Sequence, residues 1–92
     1  MVYRNSLQIM TQVLEDTKYE GQTGVSITRL IQKSNISHSR LSVLVENLIG
    51  SGLLNKIEFD GKNTFVITEK GSLFLEEYQK FSDFAGTFGL EL

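Results

Sequence analysis

Leu7, Met10, Val13 and Leu14 recur through residues 6–17 at spacings of three, three and one, with polar residues between them. At 3.6 residues per turn those four positions share one face, so the pattern predicts an amphipathic helix with Asn5 or Ser6 as its N-cap. Residues 19–24 (Tyr-Glu-Gly-Gln-Thr-Gly) break it. Val25, Ser26 and Ile27 then read either as a very short strand or as the lead into the next helix. Residues 28–34 predict a second short helix that turns Leu30 and Ile31 inward. After Asn35 and Ile36, Ser37 is placed to cap a third helix, on which Leu41, Leu44, Val45, Leu48 and Ile49 share a face. Gly50 and Gly52 supply its stop, because glycine readily adopts the left-handed conformation that ends helices.

Beyond residue 53 the period falls from 3.6 to about 2. Residues 54–59 (Leu-Asn-Lys-Ile-Glu-Phe) alternate apolar and polar, and residues 64–67 (Thr-Phe-Val-Ile) do so less cleanly. The Asp60-Gly61-Lys62-Asn63 segment between them is a strong hairpin signal, since a tight two-strand turn needs residues that tolerate positive φ. Residues 68–71 open a last helix. Phe74, Tyr78, Phe81, Ala85 and Phe88 run along one side of it at spacings of four, three, four and three, with Phe84 beside them, and Gly86 and Gly89 are expected to fray its end.

The predicted order is helix, helix, helix, hairpin, helix. Two helices joined by a short connection form a helix-turn-helix, and a hairpin directly after it adds a wing. The expected fold is α+β: a winged helix-turn-helix with a three-helix core, a β-hairpin wing and a C-terminal dimerisation helix. Residues 1–67 form the expected DNA-binding domain and residues 68–92 the expected dimerisation element.

Composition narrows the function classes. Ninety-two residues with 40% hydrophobic and 22% charged side chains are expected to make one globular domain. No apolar run approaches the roughly 20 residues of a membrane span. Met1 to Arg4 lack the charged-then-apolar pattern of a signal peptide. With no cysteine there are no disulfides, thiolate nucleophiles or Cys-based metal sites. His38 is the sole histidine, and alone it builds neither a metal site nor a catalytic triad. Gly61-Lys62 is not a phosphate loop, because Lys56 stands where that motif needs its first glycine. The expectation is therefore a cytoplasmic, nucleoid-associated protein without enzymatic activity, cofactor or metal.

The net charge of −2 is unevenly spread. Residues 28–62 carry a net +2 and residues 63–92 a net −3. Only the middle of the chain suits a phosphate backbone.

Three stretches resemble winged-helix regulators. Leu48 to Leu54 (L-I-G-S-G-L-L) resembles the L-x-x-x-G-L-[IL] exit from a recognition helix into the wing. Phe65 to Gly71 (F-V-I-T-E-K-G) resembles the Y-x-[IL]-T-x-K-G exit from the wing. Residues 3–10, taken with residues 27–37, resemble the opening of a family of small archaeal winged-helix proteins. That resemblance spans nearly the whole chain. It implies a DNA-binding homodimer held by the C-terminal helix. The acidic balance and the short last helix depart from the basic, chromatin-like members of the family.

In such a protein the second helix of the motif enters the major groove. The third helix leaves Ser39, Arg40, Ser42, Val43, Glu46 and Asn47 off its core face. Arg40, with its bidentate fork, suits a guanine edge or a phosphate, and Asn47 suits adenine. Ser37, His38, Ser39 and Ser42 suit phosphate or base contacts, and Val43 suits a thymine methyl. Glu46 would repel phosphate, so it either reads a cytosine amine or lies off the DNA. Lys56, Lys62 and Asn63 on the hairpin are expected near the DNA backbone or the minor groove, and Arg29 and Lys33 near the backbone. Of the aromatic stripe, Phe74 and Tyr78 can fold onto the core. Phe81, Phe84 and Phe88 project further, and with Phe74, Tyr78 and Ala85 they form the expected homodimer contact. The partners are thus double-stranded DNA and a second copy, with no membrane. Two other readings remain open: a winged-helix protein-interaction module that does not touch DNA, and an architectural chromatin protein.

Overall fold

Each of the four α-helices among the described residues starts on a polar side chain that accepts a hydrogen bond from a free backbone amide of its first turn, where no intrahelical acceptor exists. The computed structural model describes residues 5–90. Tyr3 and Arg4, part of the resemblance at the first helix, lie outside them. Helix α1 (Ser6–Glu20) opens with a capping box in which Asn5 accepts from Gln8 N–H and the Gln8 side chain accepts from Asn5 N–H. Ser26 caps α2 (Ile27–Ser34), Ser37 caps α3 (His38–Gly50), and Thr68 caps α4 (Glu69–Gly86). Asn35, in the left-handed conformation at φ 57°, ends α2 and turns the chain into α3.

Strands β1 (Leu54–Phe59) and β2 (Lys62–Ile67) pair antiparallel from Leu54↔Ile67 to Phe59↔Lys62. The two-residue turn between them is Asp60-Gly61, with φ 54° and 77°. Positive φ at both positions is what a hairpin turn matched to strand twist requires. Val25 fulfils both of its expected roles. It forms an antiparallel bridge with Phe65, through N–H···O bonds of 2.9 and 2.8 Å, and the chain enters α2 two residues later.

The core joins Val13 and Leu14 of α1, Leu30 of α2, Leu41, Val45 and Leu48 of α3, Leu54 and Phe65 of the hairpin and Leu75 of α4. Of the inward set expected on α3, Leu44 and Ile49 are half-buried and pack against the rim of this cluster. Two fully buried helical hydroxyls are satisfied within their own helices: Thr17 donates to Val13 O at 2.7 Å and Ser34 to Leu30 O at 2.7 Å. Helix α1 runs three residues beyond the expected end, to Glu20. There Gly21, at φ 73°, stops it and donates its N–H to Thr17 O and Lys18 O.

Helix α4 leaves the wing at a close approach. A Cβ on Gly71 would overlap Leu53 O and lie 2.7 Å from Ile67 Cγ1, so only glycine lets the helix lie on the hairpin base. Thr68 Oγ1 donates to Gly52 O at 2.6 Å and accepts from Gly71 N–H at 3.0 Å, and Lys70 Nζ donates to Ser51 O at 2.8 Å. These bonds tie the end of α3 to the start of α4.

The aromatic stripe divides along α4. Phe74 and Tyr78 are half-buried and stacked, with ring centroids 6.5 Å apart. Phe81, Phe84 and Phe88 are 58, 62 and 67% exposed. Ala85, expected among the outward residues, is instead buried within the chain. The end of α4 does not simply fray: the chain hooks back over Ala85, whose carbonyl accepts from Phe88 N–H at 3.0 Å and Leu90 N–H at 3.1 Å. A returning C-terminal turn of this kind satisfies carbonyls that the helix leaves free.

Candidate nucleic-acid interface

Helix α3 presents a wide outward face because its buried residues are closely grouped. Leu41, Val45 and Leu48 face the core. At 100° per residue the opposite side carries Ser39, Val43, Glu46 and Asn47, all exposed. Val43, 63% exposed, sits in the middle of this face. Ser37 uses its hydroxyl as the cap, accepting from Arg40 N–H at 3.3 Å and lying 3.5 Å from Ser39 Oγ.

The two flanks of α3 differ. On one, His38 and Ser42 face the wing, with Ser42 Oγ 3.4 Å from His38 Nδ1. They share a groove of about 210 Å³ with Glu46, Lys56, Asn63 and Phe65. On the other, Arg40, Leu44 and Asn47 border a shallow cleft of about 170 Å³ against Ser6 and Ile9 of α1. Arg40 therefore lies towards the edge of the face rather than at its apex. Its guanidinium forms no ion pair among the described residues.

Cross-strand register sorts the basic residues of the wing. Residues directly opposite on neighbouring strands share a sheet face, and successive residues alternate. Lys56 opposite Phe65, and Asn63 opposite Glu58, therefore belong to the face turned towards α3. Lys62 lies opposite Phe59 on the other face. The three wing residues expected to act together thus divide, with Lys56 and Asn63 beside α3 and Lys62 at the tip on the reverse side.

Arg29 and Lys33 are engaged elsewhere. Arg29 Nε lies 2.7 Å from Glu20 Oε1 and Lys33 Nζ lies 3.9 Å from the same oxygen. Lys33 Nζ also sits 5.5 Å from the centroid of the Tyr19 ring. Both cations, expected near the DNA backbone, pair with Glu20 across the α1–α2 junction. Sequence reasoning misses Glu20 and Tyr19 as their partners, and Ser6 and Ile9 as the far wall of the Arg40 cleft. These pairings arise across elements, and no local pattern signals them.

Three packed helices, the last pair joined by a tight turn, followed by a hairpin whose inner face flanks the third helix, define a winged helix-turn-helix. The chain belongs to the winged helix-turn-helix family, whose sequence profile matches residues 3–86. In three dimensions it is similar to Sso10a-2, a DNA-binding protein from Sulfolobus solfataricus, with a TM-score of 0.76 and 24% sequence identity. The similarity covers 92% of this chain and 85% of the other, and at that identity it speaks to fold. No curated protein matches the chain. Among the described residues, no helix is long and apolar enough to cross a membrane.

Proposed function

We propose that the chain is a sequence-specific DNA-binding protein that acts as a homodimer and regulates transcription. One observation carries this reading. The wing-side flank of α3, with His38, Ser42 and Glu46, and the inner face of the wing, with Lys56 and Asn63, line one groove, and among the described residues neither Arg40 nor Lys56 is committed to an intrachain ion pair. A helix face and a hairpin held side by side match the major groove and the adjoining backbone of a duplex. The structurally similar Sso10a-2 is a DNA-binding protein, which supports the same conclusion.

In this arrangement α3 enters the major groove. Ser37, His38, Ser39 and Ser42 sit at its N-terminal end, where hydroxyl and imidazole groups meet phosphate oxygens. Arg40, at the edge of the face, grips the backbone, and Asn47 lies further along the groove. Lys56 and Asn63 follow the neighbouring phosphates, with Lys62 reaching from the wing tip. Arg29 and Lys33 act at longer range, their charge shared with Glu20.

Residues 68–92 supply the dimer contact. The exposed Phe81, Phe84 and Phe88 lie together at the end of α4, with Leu90 also exposed. Soluble monomers generally avoid leaving so much contiguous apolar surface in water. A two-fold pairing through this end buries it, and two copies suit a palindromic operator. Phe74, Tyr78 and Ala85 support the contact from within the chain.

Fluorescence anisotropy on duplexes selected from a random pool tests the reading. If Arg40, Lys56 and Lys62 of each copy contact phosphate, about six contacts per dimer give a log–log salt slope near −5, roughly a thousandfold loss between 50 and 200 mM salt. Equal affinity for every duplex would refute sequence-specific recognition. No binding at low salt would refute DNA binding itself.

A further inference from the structure

Phosphate contacts account for Arg40 and the lysines and leave the centre of the α3 face unexplained. Its middle residue is apolar: Val43, 63% exposed. Its next neighbour along the face is an acid, Glu46, exposed and free of ion pairs among the described residues. Neither side chain is suited to a phosphate. A helix built to hold DNA by charge alone would carry cations here, yet the one cation on α3, Arg40, is displaced to the cleft beside α1.

Both side chains fit base edges in the major groove. A valine on a helix holds essentially one side-chain rotamer, so it presents a fixed pair of methyls. The complementary group in the groove is the thymine 5-methyl. A glutamate accepts from an exocyclic amine, with the cytosine N4 amine as its usual partner. Positions i and i+3 on a helix lie about 5–6 Å apart, against a base-pair rise of about 3.4 Å. The two residues therefore meet base pairs one or two steps apart.

We infer that Val43 and Glu46 are the specificity-determining pair of this protein, reading a thymine methyl and a cytosine amine at adjacent or next-adjacent steps of each half-site. The inference rests on the DNA-binding reading above and adds to it the chemical identity of what is read.

The test uses duplexes selected from a random pool by the full-length wild-type protein. Each thymine is replaced in turn by deoxyuridine, which lacks only the 5-methyl. One thymine per half-site is expected to matter, its replacement weakening wild-type binding about fourfold. Val43→Ala is expected to bind the parent duplex about as weakly and to be indifferent to the replacement. Val43 is exposed, so this variant keeps the wild-type circular dichroism and melting curve. Glu46→Gln is expected to relax the choice of base at a selected cytosine one or two steps from that thymine. Tight, selective binding that tolerates deoxyuridine at every thymine overturns the inference and leaves DNA binding standing. Failure to select any duplex at low salt overturns both.

Discussion

Placing a single methyl on Gly71 probes the joint between the wing and α4. The added Cβ overlaps Leu53 O and lies 2.7 Å from Ile67 Cγ1. The isoleucine can shift, but the carbonyl is held, because it accepts from Thr68 N–H at 3.1 Å. Overpacking of this kind costs about 1–3 kcal/mol, and weakening the Thr68–Leu53 hydrogen bond adds about 1 kcal/mol. Alanine's better helix propensity returns about 0.5 kcal/mol so near the helix start. The net expectation for Gly71→Ala is a loss of about 2–3 kcal/mol, or a fall in melting temperature of roughly 10–20 °C for a domain of this size. The internal control is Gly86→Ala, where a Cβ would meet nothing within 4 Å and the residue lies in the last turn of the same helix. That substitution should leave stability unchanged or raise it by about 0.5 kcal/mol. Urea and thermal unfolding followed by circular dichroism read both variants. A Gly71→Ala protein as stable as wild type would show that α4 is not seated on the hairpin base as described.

Thr68→Val removes the hydroxyl that joins Gly52 O to Gly71 N–H and should cost about 1–2 kcal/mol in urea unfolding. Leu41→Ala, at a fully buried position where α3 meets the core, should cost about 2–5 kcal/mol by the same measurement. Replacing Phe84 and Phe88 together by serine should halve the sedimenting mass in analytical ultracentrifugation while far-ultraviolet circular dichroism stays unchanged; an unchanged mass would place the dimer contact elsewhere. Arg40→Ala should weaken all duplexes by a similar factor and lower the salt slope by about 1 per copy, whereas a loss confined to one base position would make Arg40 a base reader.

Local chemistry is legible in this sequence and long-range contact is not. Ser37 as a cap, Asp60-Gly61 as a hairpin turn and Gly52 at positive φ behind α3 are all set by residues within one turn of each other. The division of the aromatic stripe is readable too, because the distance a helix projects follows from its rise per residue. Periodicity says nothing about what a surface cation meets across a loop. Arg29 and Lys33 therefore read only as cations near the DNA backbone, with no sign that Glu20 pairs with both. Alternation along the wing separates Lys56 from Lys62 only once the register is known, since the sheet face of each depends on where the turn falls. The burial of Ala85 depends on a chain reversal at Gly89, where the sequence pattern alone suggests a fraying end.

The most direct test of the proposed interface is a two-dimensional ¹H–¹⁵N correlation spectrum of the uniformly labelled protein, titrated with a selected duplex. The amide shifts are expected to cluster on α3 between His38 and Asn47 and on the wing around Lys56 and Asn63, with residues at the α1–α2 junction near Glu20 and Arg29 little changed. A spectrum unmoved by the duplex, or one whose shifts lie on α2 or α4 while α3 stays still, would contradict it.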